Sequence, residues 1–222
     1  MTSTDKHALT WALVPLKSSE RAKSRLAEIL DPEQRAQLFY AMAERVIVAL
    51  RASKGIDAVA VVTASREVAA FAKTLGATPI LQDSDVGMSP ALQSALRVLQ
   101  PMQPARVLMV PGDLPLISSA AVDAVLSAAD SDASIVVVPD RRREGTNALL
   151  CAPPDALAPH FGDCSFERHL AAAKATGIAT HIIEIEEFAL DLDCPDDLTY
   201  LQRHRDQRAA QLLATLHAAP VE

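Results

Sequence analysis

Aromatic side chains are scarce: one Trp, two Tyr and five Phe make up 4% of the 222 residues. A core must therefore be assembled from Ala, Val, Leu and Ile, which suits strands flanked by helices. Cysteine is equally sparse. Cys151, Cys164 and Cys194 lie far apart with no C-x-x-C spacing, so neither a zinc site nor a disulfide framework is indicated. Glycine is missing from the loop after the first apolar segment, and neither the P-loop nor the dinucleotide fingerprint applies there. No apolar stretch reaches the length of a membrane span, and Met1-Thr2-Ser3-Thr4-Asp5-Lys6-His7 lacks a signal-peptide core. A cytoplasmic protein without membrane contact is expected. Positive charge is in deficit as well. A formal net charge of −7 argues against nucleic acid or an anionic membrane as partner, because such binding rests on neutralising phosphates. Nucleophilic hydrolysis is also disfavoured. There is no G-x-S-x-G elbow and no Cys–His pair, and the six histidines form no metal or triad spacing. His169, after Ser165 in a helical segment, is the one histidine set apart.

What is present is an alternation of apolar strands and amphipathic helices. Strands are expected at Thr10 to Leu16, Asp57 to Thr63, Thr78 to Leu81, around Val107, at Ala133 to Val138, at Asn147 to Ala152 and from Ala179 to Ile185. They are continuously apolar, as in sheets covered on both faces. Asp31-Pro32 starts a helix of about five turns with Phe39, Met42, Val46 and Leu50 on one stripe. Further helices are expected at Arg66 to Leu75, Ala91 to Leu99, Ser119 to Ala129 and Phe166 to Ala175. A last one opens at Pro195 and runs past Leu213. The expectation is one α/β domain over residues 1–217, a mostly parallel sheet with helices on both faces, and a frayed tail at 218–222.

Three groups of residues can carry chemistry. Val107 to Val110 is an apolar run that ends in Pro111-Gly112 and delivers Asp113 to a strand end, where open α/β sheets bind ligands. Asp191 and Asp193, two apart in an extended segment, project from the same face. Two such carboxylates repel unless a cation lies between them. With Asp113 they could converge on Mg²⁺, which takes a few carboxylates together with substrate phosphates and water. Asp196 and Asp197 follow Pro195 in a helix's first turn and are assigned to capping. Lys17, Arg21, Lys23 and Arg25 form a cationic patch after the first strand that suits a triphosphate. Gly145-Thr146-Asn147 and the helix start after Phe161-Gly162-Asp163-Cys164-Ser165 can each present donors to an anion.

In order along the chain, these pieces resemble the CofC/FbiD guanylyltransferases of coenzyme F420 biosynthesis. The resemblance rests on Val14-Pro15-Leu16-Lys17, Ala22-Lys23-Ser24-Arg25-Leu26, Pro111-Gly112-Asp113-Leu114-Pro115, Gly145-Thr146-Asn147-Ala148-Leu149-Leu150, Phe161-Gly162 with Ser165-Phe166 and His169, and Asp191-Leu192-Asp193 with Pro195 and Asp197-Leu198. It spans residues 12–201. One departure is Gly87-Met88-Ser89-Pro90, where the family often has Gly-Leu-Asn. The resemblance implies a nucleotidyltransferase fold related to glycosyltransferase-A domains. It implies transfer of GMP from GTP to 2-phospho-L-lactate, phosphoenolpyruvate or 3-phosphoglycerate with release of pyrophosphate. It places one or two Mg²⁺ ions on Asp113, Asp191 and Asp193, the nucleotide on Pro15, Lys17, Lys23, Arg25 and Ser89, and the acid on Thr146, Gly162 and Ser165. Asp113, Lys23 and Arg25 would then carry the catalysis. The alternatives are a nucleotidyltransferase for a sugar phosphate or molybdopterin-type acceptor, and a non-catalytic nucleotide-binding module.

Overall fold

The apolar segments become one sheet of seven strands: β1 (Thr10–Pro15), β2 (Ala58–Thr63), β3 (Thr78–Leu81), β4 (Arg106–Met109), β5 (Ser134–Pro139), β6 (Thr146–Ala152) and β7 (Ala179–Ile182). The structure, a computed structural model, describes residues 9–18, 23–129, 133–204 and 206–217. Arg21 of the expected cationic patch and the expected tail at 218–222 lie outside the described residues. The strand order is β3-β2-β1-β4-β6-β5-β7. β6 is antiparallel to both its neighbours, while the pairings β3-β2, β2-β1, β1-β4 and β5-β7 are parallel. The reason is local. Only the short loop Asp140 to Gly145 joins β5 to β6, and a parallel return would need a crossover of a dozen or more residues.

Alternate residues of each strand enter opposite cores, the period-2 consequence of the pleat. Ala12, Val14, Val59, Val61, Leu108 and Val110 pack on one face, under helices α1 (Pro32–Ala52), α2 (Arg66–Thr74) and α4 (Ser119–Ser127). Trp11, Leu13, Ala60, Val62, Val107 and Met109 pack on the other, under α3 (Met88–Leu99) and α5 (Ser165–Thr176). Asp31 caps α1 as expected, and reciprocal bonds with Gln34 at 2.8 and 3.1 Å close a capping box.

A third core was not foreseen. Leu38 and Met42 of α1 meet Leu198 and Leu201 of α6 (Pro195–Arg203) and Ala209, Leu212 and Leu216 of α7 (Gln207–His217). The single C-terminal helix expected from Pro195 onward is thus two helices. Asp206 causes the break. Its carboxylate accepts from the Arg208 amide at 2.6 Å and its carbonyl from the Ala210 amide, so α7 restarts there. Leu198, Leu201, Ala209, Leu212 and Leu216 would also share a stripe on one unbroken helix, which is why periodicity alone missed the break. Leu26, Leu190 and Leu192 are buried in this same core. It therefore anchors two segments that carry site residues, the turn after Lys23 and the acidic stretch around Asp191.

Candidate active site

Three adjoining hollows run along the edge where the parallel strands end. The first, about 360 Å³, lies beyond β1, β2 and β3 and is lined by Pro15, Lys17, Thr63, Gln82, Asp85 and Met88 among others. The second, about 280 Å³, holds Lys17, Lys23, Arg25, Gly112, Asp113 and Asp193. The third, about 430 Å³, holds Arg25, Arg142, Gly145, Gly162, Asp191 and Asp193. Pro15, Lys17 and Met88 line both the first and second, and Arg25 and Asp193 both the second and third. The hollows therefore form one groove, at the strand-end position the sequence pointed to.

The centre of the groove is built by backbone. Gly112 passes so close to the end of β1 that a Cβ there would overlap the Leu16 side chain, which would have to move to make room. The Leu192 amide then donates to the Asp113 carbonyl at 3.1 Å, stitching the acidic segment to that loop. Leu190 and Leu192 point into the third core while Asp191 and Asp193 are partly exposed, the alternation of an extended chain.

Between the acids stands Lys23, in left-handed backbone geometry (φ 55°). Its Nζ donates to Asp113 Oδ2 at 2.8 Å and to Asp193 Oδ1 at 2.7 Å. Burial works against the ammonium charge, but the charges and hydrogen bonds of Asp113 and Asp193 outweigh it and hold Lys23 above its usual value. The sequence read Lys23 as a triphosphate ligand, whereas here it neutralises two of the three expected metal carboxylates. Asp191 makes no such pair. Burial, then the negative charges of Asp113 and Asp193, push its carboxyl up to about 6. Asp113 Oδ1 is buried with no hydrogen-bond partner among the described residues. No group of three or more His, Cys, Asp or Glu among them is gathered so as to hold a metal ion.

Asp197 does more than its assigned capping. Oδ2 accepts from the Asp193 and Cys194 amides at 3.0 and 2.9 Å, and Oδ1 from Arg141 Nη2 at 2.5 Å. Burial raises its carboxyl, but these bonds, with the Cys194 thiol, hold it below the usual carboxylate range. Asp197 thus fixes the backbone of the Asp193 segment and ties it to the β5–β6 loop. Arg141 also stacks on Tyr200 at 4.8 Å, and Arg142 reaches Asp197 at 3.6 Å while lining the third hollow. Both arginines stand in the charged loop between β5 and β6, and nothing local to the sequence shows that they meet Asp197.

Thr146 and Ser165 lie behind the wall formed by Gly145, Gly162 and Cys164 of the third hollow, and are 3% and 2% exposed. The Thr146 amide donates to Ser165 Oγ at 2.9 Å, and Thr146 Oγ1 lies 2.9 Å from His169 Nδ1. Gly162, at φ 115°, makes the turn into α5 and accepts from the Ser165 amide at 3.1 Å. Ser89, expected at the nucleotide, lines none of the three hollows. Its hydroxyl donates to the Phe161 carbonyl at 3.1 Å and ties α3 to the Gly162 turn, while its neighbour Met88 lines the groove.

Burial of His169, reinforced by the nearby His160 and Arg168, pushes its ring down to about 4, so it is neutral when folded. Unfolded, it would titrate near 6.5. Above about pH 6.5 both states are neutral and this contribution is fully present; as pH falls toward 4 the unfolded chain takes up the proton first. Chemical denaturation at stepped pH is expected to show about 3 kcal/mol lost across that window, with most of this loss absent in His169→Asn.

The comparisons agree with this architecture. The family described as guanylyl transferase CofC like matches residues 10–218. A phosphoenolpyruvate guanylyltransferase of Conexibacter woesei is 39% identical over 194 residues, covering 87% of each chain. A 2-phospho-L-lactate guanylyltransferase of Methanothermobacter thermautotrophicus is 32% identical, covering 88% of this chain and 85% of that one. A solved nucleotidyl transferase from Methanothermobacter superposes with a TM-score of 0.64 at 19% identity, covering 93% and 99%, and shares the fold. Among the described residues no helix is long and apolar enough to cross a membrane. With a matching family over nearly its whole length and the family's motifs gathered along one groove, this chain belongs to the CofC-like guanylyltransferases.

Proposed function

We propose that this enzyme transfers GMP from GTP to the phosphate of a small phosphorylated carboxylic acid and releases pyrophosphate. The observation that supports this most is the single groove, with an open hollow beyond β1–β3 for a nucleoside, a cation-and-acid centre, and a third hollow lined by Arg25, Arg142, Gly145 and Gly162. The curated relatives named for phosphoenolpyruvate and 2-phospho-L-lactate supply the class of acceptor. A phosphate monoester is largely dianionic near neutral pH, with a second pKa of about 6. Its oxygen attacks the α-phosphorus of GTP and forms the new P–O bond. The bond from that phosphorus to the bridging oxygen of the β-phosphate breaks, and pyrophosphate leaves with the electron pair. No general base is required, which accounts for the lack of a triad.

The protein's task is then to position two anions and neutralise their charge. Lys17 and Arg25 line the centre beside Lys23 and would receive the triphosphate. Thr146, Gly162 and Ser165 would hold the acid. The donor set suits one or two Mg²⁺ ions on Asp113, Asp191 and Asp193. All the donors are oxygens, one buried Asp113 oxygen lacks a partner among the described residues, and a cation would offset the burial and the neighbouring negative charges that raise Asp191. When bound, Mg²⁺ supplies charge neutralisation at the phosphates. The proposed setting is the cytoplasm, and the product would enter coenzyme F420 assembly.

Incubation with GTP, Mg²⁺ and the three acids in competition, with a parallel incubation that offers a sugar phosphate, followed by mass spectrometry, tests this reading. One GMP–acid diester and an equal amount of pyrophosphate are expected, both lost when Mg²⁺ is chelated. Product formed only with a sugar phosphate would overturn the acceptor, and nucleotide binding without any turnover would overturn the enzyme assignment.

A further inference from the structure

We infer that His169 is a positioning residue that fixes the Thr146 hydroxyl as a donor toward the anionic acid substrate. The inference rests on the proposed placement of that acid against Thr146 and Ser165. His169 is fully buried on α5, with Phe161 edge-on at 5.0 Å. The His160 backbone amide donates to its Nε2 at 2.8 Å. A neutral imidazole nitrogen that accepts carries no hydrogen, so the ring hydrogen sits on Nδ1. Nδ1 is 2.9 Å from Thr146 Oγ1, and the hydroxyl can only accept there. Burial holds the ring near 4 and so keeps it neutral; the Ser165 carbonyl, which shares the single Nδ1 hydrogen with Thr146 Oγ1, opposes this without reversing it, and a nitrogen carrying that hydrogen still cannot accept from the hydroxyl.

The same polarity extends to Ser165. Its Oγ accepts from the Thr146 amide at 2.9 Å. Both hydroxyls therefore act as acceptors toward the protein, and among the described residues neither has an acceptor for its own hydrogen. Two buried hydroxyl hydrogens without acceptors are uncommon in a folded chain. They adjoin Gly145 and Cys164, which line the third hollow, and suit a carboxylate or phosphate oxygen reaching past that wall, where charge-assisted bonds are strong. Without the Nδ1 donor the Thr146 hydroxyl could turn and donate inward, and the acid would meet a lone pair.

Asn and Gln separate this role from simple packing. An Asn amide at position 169 reaches about where Nδ1 is and can still donate to Thr146. A Gln amide reaches about where Nε2 is and keeps only the bond with His160. Kinetics with acid and GTP varied separately should compare His169→Asn, His169→Gln, Thr146→Val and the double variant Thr146→Val/His169→Gln. Thr146→Val and His169→Gln are each expected to raise KM for the acid about tenfold with KM for GTP unchanged. His169→Asn should stay within about threefold, and the double variant should be no worse than Thr146→Val alone.

An unchanged acid KM in Thr146→Val would overturn the acid site itself, and this role of His169 with it. A raised KM in Thr146→Val, combined with equal effects of Asn and Gln or with additivity in the double variant, would overturn the role of His169 alone. Nitrogen-15 NMR of the unmodified protein gives a test independent of variant folding: the Nδ1–H tautomer is expected, and the Nε2–H tautomer would refute the inference.

Discussion

Asp113→Asn is expected to lower turnover by on the order of 10³-fold while leaving the protein folded. The substitution conserves shape and removes one negative charge at the centre of the groove. There the Asp113 carboxylate faces Lys23, and one of its oxygens is buried without a partner among the described residues. Stability should change little, by about 1 kcal/mol, because the Asp113 side chain is partly exposed and Lys23 keeps its second carboxylate, Asp193. Steady-state rates of pyrophosphate release and thermal melts of both proteins check the two halves of this expectation. Turnover within about tenfold of the unmodified enzyme would take Asp113 out of the chemistry.

Asp197→Ala acts through the fold instead. It removes the partner of the Arg141 guanidinium and the acceptor shared by two backbone amides, all at a side chain that is 8% exposed. Breaking a buried, hydrogen-bonded ion pair from one side costs about 3–5 kcal/mol, since the remaining charge loses its compensation. For a chain of this size the melting temperature should fall by about 10 °C. Activity measured well below the new melting point should fall too, because the Asp193 backbone is released. Asp196→Ala, at the exposed neighbour in the same helical turn, serves as the control and should stay within about 0.5 kcal/mol of the original stability. Equal melting of the two variants would show that the Arg141 pair contributes nothing.

Much of this site could be read along the chain. Asp113 followed from an apolar strand closed by Pro-Gly, and Asp191 and Asp193 from the period of extended backbone. Thr146 and Ser165 came from the family motifs that contain them. Lys23 shows the limit of such reading. Its place among basic neighbours suggested a phosphate ligand, but its carboxylate partners lie 90 and 170 residues away. Ser89 is a similar case, since its hydroxyl is committed to a carbonyl 72 residues on, a contact no local pattern announces. The split of the C-terminal helix was legible in principle. Asp206 carries a capping signal, but the apolar stripe stays in phase across the break and masked it.

The sequence by itself determined what depends on neighbours a few residues apart: the strands, the Asp31 cap, the two faces of each strand and the acid at the end of β4. Those features follow from steric and hydrogen-bonding preferences that act locally. Only the tertiary structure decided which charges meet. The third core buries Leu26, Leu190 and Leu192 together, and so carries Lys23 to Asp113 and Asp193, and the Asp193 backbone to Asp197. Electrostatic pairing depends on distance in space, and the burial of apolar side chains from remote segments sets that distance.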